Sequence, residues 1–210
     1  MTSLQTPLYN LSEFPLVYEP AEDTHLFLDA LEKDMDNLLQ IKPVTICEIG
    51  CGSGILITAL ASIFKNTCCY FCTDINPQAC LATKNTALLN KADIECVQMD
   101  LTSCLKAQWR FDVIIFNPPY VVTEENEIKG NGLNRAFAGG KKGRIITDKF
   151  LKSLVNILSD NGVCYVLFLK DNILVEVEKI MQQNGFCSTV IMERKIPGEH
   201  LYICKFNKKH

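Results

Sequence analysis

The stretch that most restricts the fold is Phe111-Asp112-Val113-Ile114-Ile115-Phe116, which runs into Asn117-Pro118-Pro119-Tyr120. Six residues that are mostly β-branched or aromatic read as a buried strand in a sheet covered on both faces. A polar Asn followed by two prolines stops that strand abruptly and leaves a stiff turn, with φ set at both prolines. The Asn117 side-chain oxygen and the Pro118 carbonyl can both accept hydrogen bonds from one NH₂ group, and Tyr120 can stack on its plane. Such a turn suits a planar, conjugated nitrogen, either a carboxamide or a nucleobase amine. On its own, Asn-Pro-Pro would more simply be a proline-stopped turn. The segments upstream shift the balance.

From Val44 onward the pattern alternates strand and helix. Strands are expected near 44–49, 68–74, 94–99, 111–117, 162–169, 186–192 and 200–206, and helices near 54–65, 77–90, 146–158 and 173–184. Asn184-Gly185 closes the last helix. One further helix is expected over 21–40, with Glu22, Asp23 and Thr24 at its amino end and Lys42-Pro43 beyond it. Residues 1–17 lack periodicity and read as an irregular arm, and 18–210 read as a single domain. The longest irregular stretch is Val121 to Arg144, and a loop of that length in a compact domain is usually functional. The alternation implies an open, mostly parallel sheet with helices on both faces. Ligands of such sheets bind beyond the carboxyl ends of the strands, at the switch point.

At that end lies Gly50-Cys51-Gly52-Ser53-Gly54, between a strand and a helix. Its spacing is G-x-G-x-G, not the G-x-G-x-x-G that supports a dinucleotide pyrophosphate. Acids close successive strands: Asp74 can accept both hydroxyls of a ribose. Asp100 can accept from an adenine amine, with Leu101 packing on the ring, and Glu48 can hold a ligand ammonium. Any one of these is commonly an ordinary surface acid; three at successive strand ends, with Asn117, describe a nucleoside that carries an amino acid.

The net charge of −3 argues against non-specific nucleic-acid binding as the main activity. The longest apolar run, Ile55 to Phe64, is too short to span a bilayer, and no signal peptide is expected at the start. Eleven cysteines, mostly inside apolar strand-like runs, point to free thiols in a reducing compartment. Cys69-Tyr70-Phe71-Cys72 matches C-x-x-C, but in a strand its side chains alternate faces, so no metal site is expected there.

Taken together, Glu48-Ile49-Gly50-Cys51-Gly52-Ser53-Gly54, Thr73-Asp74-Ile75-Asn76-Pro77, Asp100 and Asn117-Pro118-Pro119-Tyr120 resemble class I S-adenosylmethionine-dependent methyltransferases of the HemK type. The strings Tyr18 to Thr24, Phe116 to Thr123 and Ala138 to Arg144 resemble its short eukaryotic and archaeal branch. The resemblance covers nearly the whole chain from Tyr18. It implies an α/β, Rossmann-like fold with a seven-stranded sheet, and S-adenosylmethionine as cofactor. The implied activity is methylation of the glutamine in the Gly-Gly-Gln motif of a class I release factor. It assigns Thr24, Glu48, Gly50, Gly52, Asp74, Ile75, Asp100, Leu101 and Asn117 to the cofactor. Asn117, Pro118, Pro119 and Tyr120 go to the substrate, with Asn117, Pro118 and Tyr120 catalytic. The family has also been credited with methylating lysine in histones and adenine in DNA. Adenine in DNA or RNA would fit the same turn but needs a basic path, for which Lys129, Arg135, Lys141, Lys142 and Arg144 are the candidates. The same cations could instead dock a protein or simply solvate a loop.

The resemblance further implies a heterodimer with a small zinc-binding activator of methyltransferases, in the cytoplasm and also the nucleus. In the strand order expected for this fold, 93–99 is an edge without Pro or Lys, with charges at Asp93 and Glu95 only. Strand addition by the activator is the expected use of that edge.

Overall fold

The computed structural model describes residues 4–106, 108–128 and 133–209. Seven strands form one sheet: β1 (Thr45–Ile49), β2 (Cys69–Asp74), β3 (Glu95–Gln98), β4 (Phe111–Phe116), β7 (Leu158–Leu169), β8 (Phe186–Ile196) and β9 (Glu199–Lys208). Their order is β3-β2-β1-β4-β7-β9-β8, with parallel pairing except where β9 meets β7 and β8. The mostly parallel seven-stranded α/β architecture is the one expected from the alternation. Strand order reverses between β1 and β4, where Glu48 lies opposite Ile115 and Ile49 opposite Phe116. The glycine turn and the Asn-Pro-Pro turn therefore leave the sheet side by side.

Side chains alternate between the two faces with period two. Ile46, Val113, Ile115, Tyr165 and Leu167 pack beneath α1 (Glu22–Lys33) and α3 (Ile55–Phe64). Cys47, Ile114, Phe116, Cys164, Val166 and Phe168 pack beneath α6 (Ile145–Ile157) and α7 (Leu174–Gln183). This is why the central strands read as continuous apolar runs. No helix among the described residues is long and apolar enough to cross a membrane.

The expected helix over 21–40 divides at Asp34 into α1 and α2 (Met35–Ile41). Asp34 accepts hydrogen bonds from the Tyr165 hydroxyl at 2.6 Å and from Lys205 at 2.8 Å. Its carboxylate is thus anchored to β7 and β9, and the break follows from partners distant in sequence. Residues 4–17 carry no helix or strand, yet they are fastened to α4 (Pro77–Leu89) and its flanks. Leu11 and Val17 bury against Ala79 and Ala82, and Asn90 brackets Leu8 through both its N–H and carbonyl.

The segment 121–144 departs from the irregular loop expected. It contains β5 (Val121–Val122), α5 (Glu125–Ile128) and β6 (Ala138–Gly140), with β5 and β6 paired in parallel. Gly139 and Gly143 let this segment close against itself and against the Tyr120 carbonyl, where a Cβ on either would collide with backbone. Two members of the basic cluster are engaged within the fold, while Arg135 and Lys141 are exposed. Arg144 is buried and donates to the Asn172 and Ile173 carbonyls, to Glu176 and to Asp148, and Lys142 pairs with Glu176. Lys129 lies outside the described residues.

Gly54 holds α3 against α4. Its φ is +76°, and an added Cβ would stand 2.7 Å from Thr83 Cα. Gly54→Ala combines left-handed strain of about 1–2 kcal/mol with overpacking of about 1–3 kcal/mol. Chemical denaturation of the variant is expected to show a loss of roughly 2–5 kcal/mol; a loss below about 1 kcal/mol would mean that α3 moves freely.

Candidate active site

A cavity of about 460 Å³ opens at the carboxyl end of β1, β2 and β4, within the usual range for small-molecule sites. Thr24, Glu48, Gly50, Gly52, Asp74, Ile75, Asp100, Leu101, Asn117, Pro118, Pro119 and Tyr120 all line it. The fold therefore brings every site residue expected from the sequence to one place.

Its floor is the glycine turn. Gly50, Gly52 and Gly54 all have positive φ, which only glycine adopts without strain. A Cβ on Gly52 would meet nothing within 4 Å, so the missing side chain leaves open space on the cavity wall. The turn is pinned from below by α4, where Thr83 donates to the Gly52 carbonyl and Thr86 to that of Ser53.

The acids differ in how they are held. The Asp74 carboxylate accepts from the Gly52 N–H at 3.0 Å and the Asn76 N–H at 2.8 Å. These bonds aim it, although burial still pushes its pKa up. Glu48, only 2% exposed, accepts from the Ile57 N–H at 3.0 Å. That amide is in the first turn of α3, so Glu48 also satisfies an orphan helix donor. Burial raises its carboxyl well above the usual range against that bond, and nearby Asp74 adds to the rise. Asp100 has part of its acceptor capacity taken by Lys149 of α6. Leu101 sits at φ +52°, a strained conformation for a branched side chain and one that clusters at ligand sites.

The decisive geometry is at Asn117. Its amide nitrogen donates to Asp23 at 3.0 Å, while its side-chain oxygen is buried with no partner. A carboxylate only accepts, so Asp23 fixes which end of the amide faces it. The unpaired oxygen is then an acceptor held ready, and leaving one buried costs about 1–3 kcal/mol. Tyr120 is held by Asn172, which donates to its carbonyl at 2.9 Å, and its hydroxyl reaches Glu199 at 3.4 Å. The open side at Gly52, the aimed carboxylate of Asp74 and the orphaned oxygen of Asn117 fit a nucleoside bearing an amino acid, with an N–H donor beyond it.

Residues 21–195 match the sequence family described as "Methyltransferase small domain". The chain belongs to this family. It is 41% identical over 198 residues to human "Methyltransferase HEMK2", covering 93% of this chain and 91% of that protein. It is 39% identical over 219 residues to the Schizosaccharomyces pombe "eRF1 methyltransferase catalytic subunit mtq2", covering 96% and 95%. Among solved structures it resembles the E. cuniculi Mtq2-Trm112 complex, described as responsible for methylation of the eRF1 translation termination factor. That match has 25% identity and a TM-score of 0.69, over 92% of this chain and 99% of that one.

Several residues of this methyltransferase site escaped sequence reasoning. Leu16 and Val17 of the arm and Tyr18 just after it line the cavity, as do Ala136 and Phe137 beside Arg135, which reads in the sequence only as part of a basic path. Arg135 lowers the Asp74 carboxyl against its burial. Burial, together with Asp23 and Glu199, pushes the Tyr18 hydroxyl up to about 12. In the sequence Asp23 reads as a helix-start acid; its seat beside Asn117, 94 positions away, has no local signal.

A raised Glu48 carboxyl binds protons more tightly in the folded chain than in the unfolded one. Its contribution is present below the ordinary glutamate pKa and is lost as pH rises through the folded value. Glu48→Gln keeps an acceptor for Ile57 without the buried charge. Thermal melts of ligand-free protein should place the variant above the parent at neutral pH, with the gap closing toward about pH 4.5. A gap independent of pH would show that Glu48 is not the titrating group.

Proposed function

We propose that this methyltransferase transfers the methyl group of S-adenosylmethionine to the side-chain amide nitrogen of glutamine in the Gly-Gly-Gln motif of a class I release factor. The observation that carries the reading is the buried Asn117 oxygen, unpaired and oriented by Asp23. Support comes from relatives: the S. pombe protein is named as an eRF1 methyltransferase subunit, and a Methanocaldococcus jannaschii protein, 38% identical, as a putative N5-glutamine methyltransferase.

When bound, S-adenosylmethionine supplies an electrophilic methyl on a sulfonium. Asp74 would hold its ribose, Glu48 its ammonium, and Asp100 with Leu101 its adenine, with Gly52 giving the close approach. A carboxamide nitrogen is a poor nucleophile because its lone pair is shared with the carbonyl. Asn117 Oδ1 and the Pro118 carbonyl accept its two N–H groups, favour pyramidalisation and stabilise positive charge on the nitrogen. This is positioning and electrostatic preorganisation without a general base. His25 is exposed on α1, His200 bonds Glu193 and Tyr202, and His210 lies outside the described residues. The proton leaves to solvent after the nitrogen has become acidic. An adenine substrate is disfavoured because Lys142 and Arg144 are engaged within the fold.

A small zinc-binding activator is the expected partner, in line with the E. cuniculi relative's complex with Trm112. Among the described residues the edge β3 pairs only with β2, and Val97 on it is 45% exposed. Next to it α4 exposes Leu81, Leu88 and Leu89. The Met99 N–H donates to the Asp74 carbonyl, so strand alternation turns the N–H groups of Cys96 and Gln98 to the open side. Strand addition there supplies backbone bonds, and the apolar residues supply specificity.

Asn117→Ala should lower turnover roughly 10²–10³-fold with little change in cofactor affinity by calorimetry. Asp23→Ala should lower turnover in the same way, because the amide loses its fixed orientation. Mass spectrometry of a release factor treated with the parent should place one methyl on the glutamine side-chain nitrogen. Methyl groups on lysine or on duplex DNA instead would overturn the substrate reading.

The edge is tested separately by Gln98→Pro, which removes an outward donor and leaves the β2–β3 ladder. Co-purification with the activator should fall while the melting temperature changes by only a few degrees. Undiminished co-purification would place the partner elsewhere.

A further inference from the structure

Four of the cysteines converge beneath the glycine turn from four different segments. Cys51 lies in the turn itself, Cys72 on β2, Cys80 on α4 and Cys96 on β3. The sulfurs of Cys51, Cys72 and Cys96 all lie within 4.8 Å of one another, and those of Cys51 and Cys96 are 3.8 Å apart. Two thiolates bound to one zinc ion at about 2.3 Å stand about 3.8 Å apart in a tetrahedron and about 4.0 Å apart in a trigonal plane. The Cys51–Cys96 pair already stands at the spacing that a single ion requires, and the Cys72 sulfur lies within 4.8 Å of both.

That spacing is held by the backbone. Cys72 and Cys96 are direct partners in the β2–β3 register. Cys51 is fixed by its N–H bond to the Thr73 carbonyl at 3.0 Å. Cys80 turns its thiol toward the Asp74 carbonyl at 3.7 Å and also contacts Cys96. Cys51 and Cys72 are buried and Cys96 is half-buried, which suits a closed site with entry from the strand edge.

We propose that Cys51, Cys72 and Cys96 form a three-thiolate site for a soft, thiophilic cation, with Cys80 as an adjacent fourth donor. Sulfur ligands select Cu(I) and Zn(II) over Mg²⁺ or Ca²⁺. Three thiols suit three-coordinate Cu(I); Zn(II) would draw in Cys80 to complete a tetrahedron. Each S–H bond is exchanged for an S–metal bond and each proton passes to solvent, with no electron transfer. A bound ion would lock the glycine turn, β2 and the edge strand together. The cofactor floor and the partner edge would then share one crosslink. This inference stands apart from the choice of methyl acceptor.

The test uses the full chain with exposed Cys69, Cys104 and Cys187 changed to Ser, kept reduced and free of oxygen. Cu(I) held by a competing chelator, and separately Zn(II), are titrated in. The readouts are thiolate-to-metal charge-transfer absorbance for Cu(I), and proton release and the melting temperature for both ions. One ion per chain, released protons and a raised melting temperature are expected with at least one of the two ions. Cys72→Val and Cys96→Val should each weaken that binding at least 100-fold, whereas Cys47→Val, a buried cysteine outside the cluster, should leave it unchanged. A further loss in Cys80→Val with Zn(II) supports the four-thiolate form. Fewer than one ion per chain for both ions overturns the proposal. So does undiminished binding in Cys72→Val and Cys96→Val proteins that melt cooperatively.

Discussion

The pairing of β1 with β4 is the constraint on which the rest depends. Ile49 faces Phe116 in register, so the next residue on one strand is Gly50 and on the other Asn117. Strand order reverses at this seam, and the two turns diverge to leave a crevice that no crossover helix fills. Shifting β4 by one residue against β1 would invert every side chain of β4 and move Val113 and Ile115 off the face that carries α1 and α3. The two chemical halves of the site, nucleoside floor and amide clamp, are therefore set by one ladder of backbone hydrogen bonds.

A second tier of buried polar groups holds what that ladder places. Asn172 receives the Leu169 N–H on its oxygen and donates to the carbonyls of Tyr120 and Lys142. Arg144 joins the same region to Glu176 and Asp148. All these groups are satisfied, as buried polar networks must be if they are to rigidify a fold. Against this background the Asn117 oxygen stands out. It is left without a donor, as are the hydroxyls of Thr58 and Thr73, but it faces the cavity and its amide partner Asp23 prevents it from turning away. The unsatisfied acceptor is a local cost that substrate binding would recover.

Glu48 shows how one residue serves fold and site together. Its carboxylate satisfies an α3 amide and also lines the cavity. Its burial makes the ligand-free chain less stable as pH rises, which a bound ammonium group would reverse. The same economy holds at the sheet edge, where β3 carries both the open backbone and a thiol reaching the glycine turn.

The sequence by itself determined the sheet, most of its helices, and the glycine turn, strand-end acids and Asn-Pro-Pro turn that line the cavity. Those features rest on local signals: apolar periodicity, glycine spacing, acids at strand ends and a proline stop. Each can be read within about twenty residues of chain. The helix break at Asp34, the order within 121–144 and the loss of the Lys142 and Arg144 charges into the fold were not legible. Their causes are Tyr165 and Lys205, the close approach of Gly143 to Tyr120, and Glu176 with Asn172, all distant partners. Asp23 is the sharpest case, an acid that reads as an ordinary helix start until folding sets it against Asn117. Tertiary structure alone decided these points, because a buried polar group takes its role from the partner that satisfies it, and that partner is chosen by packing.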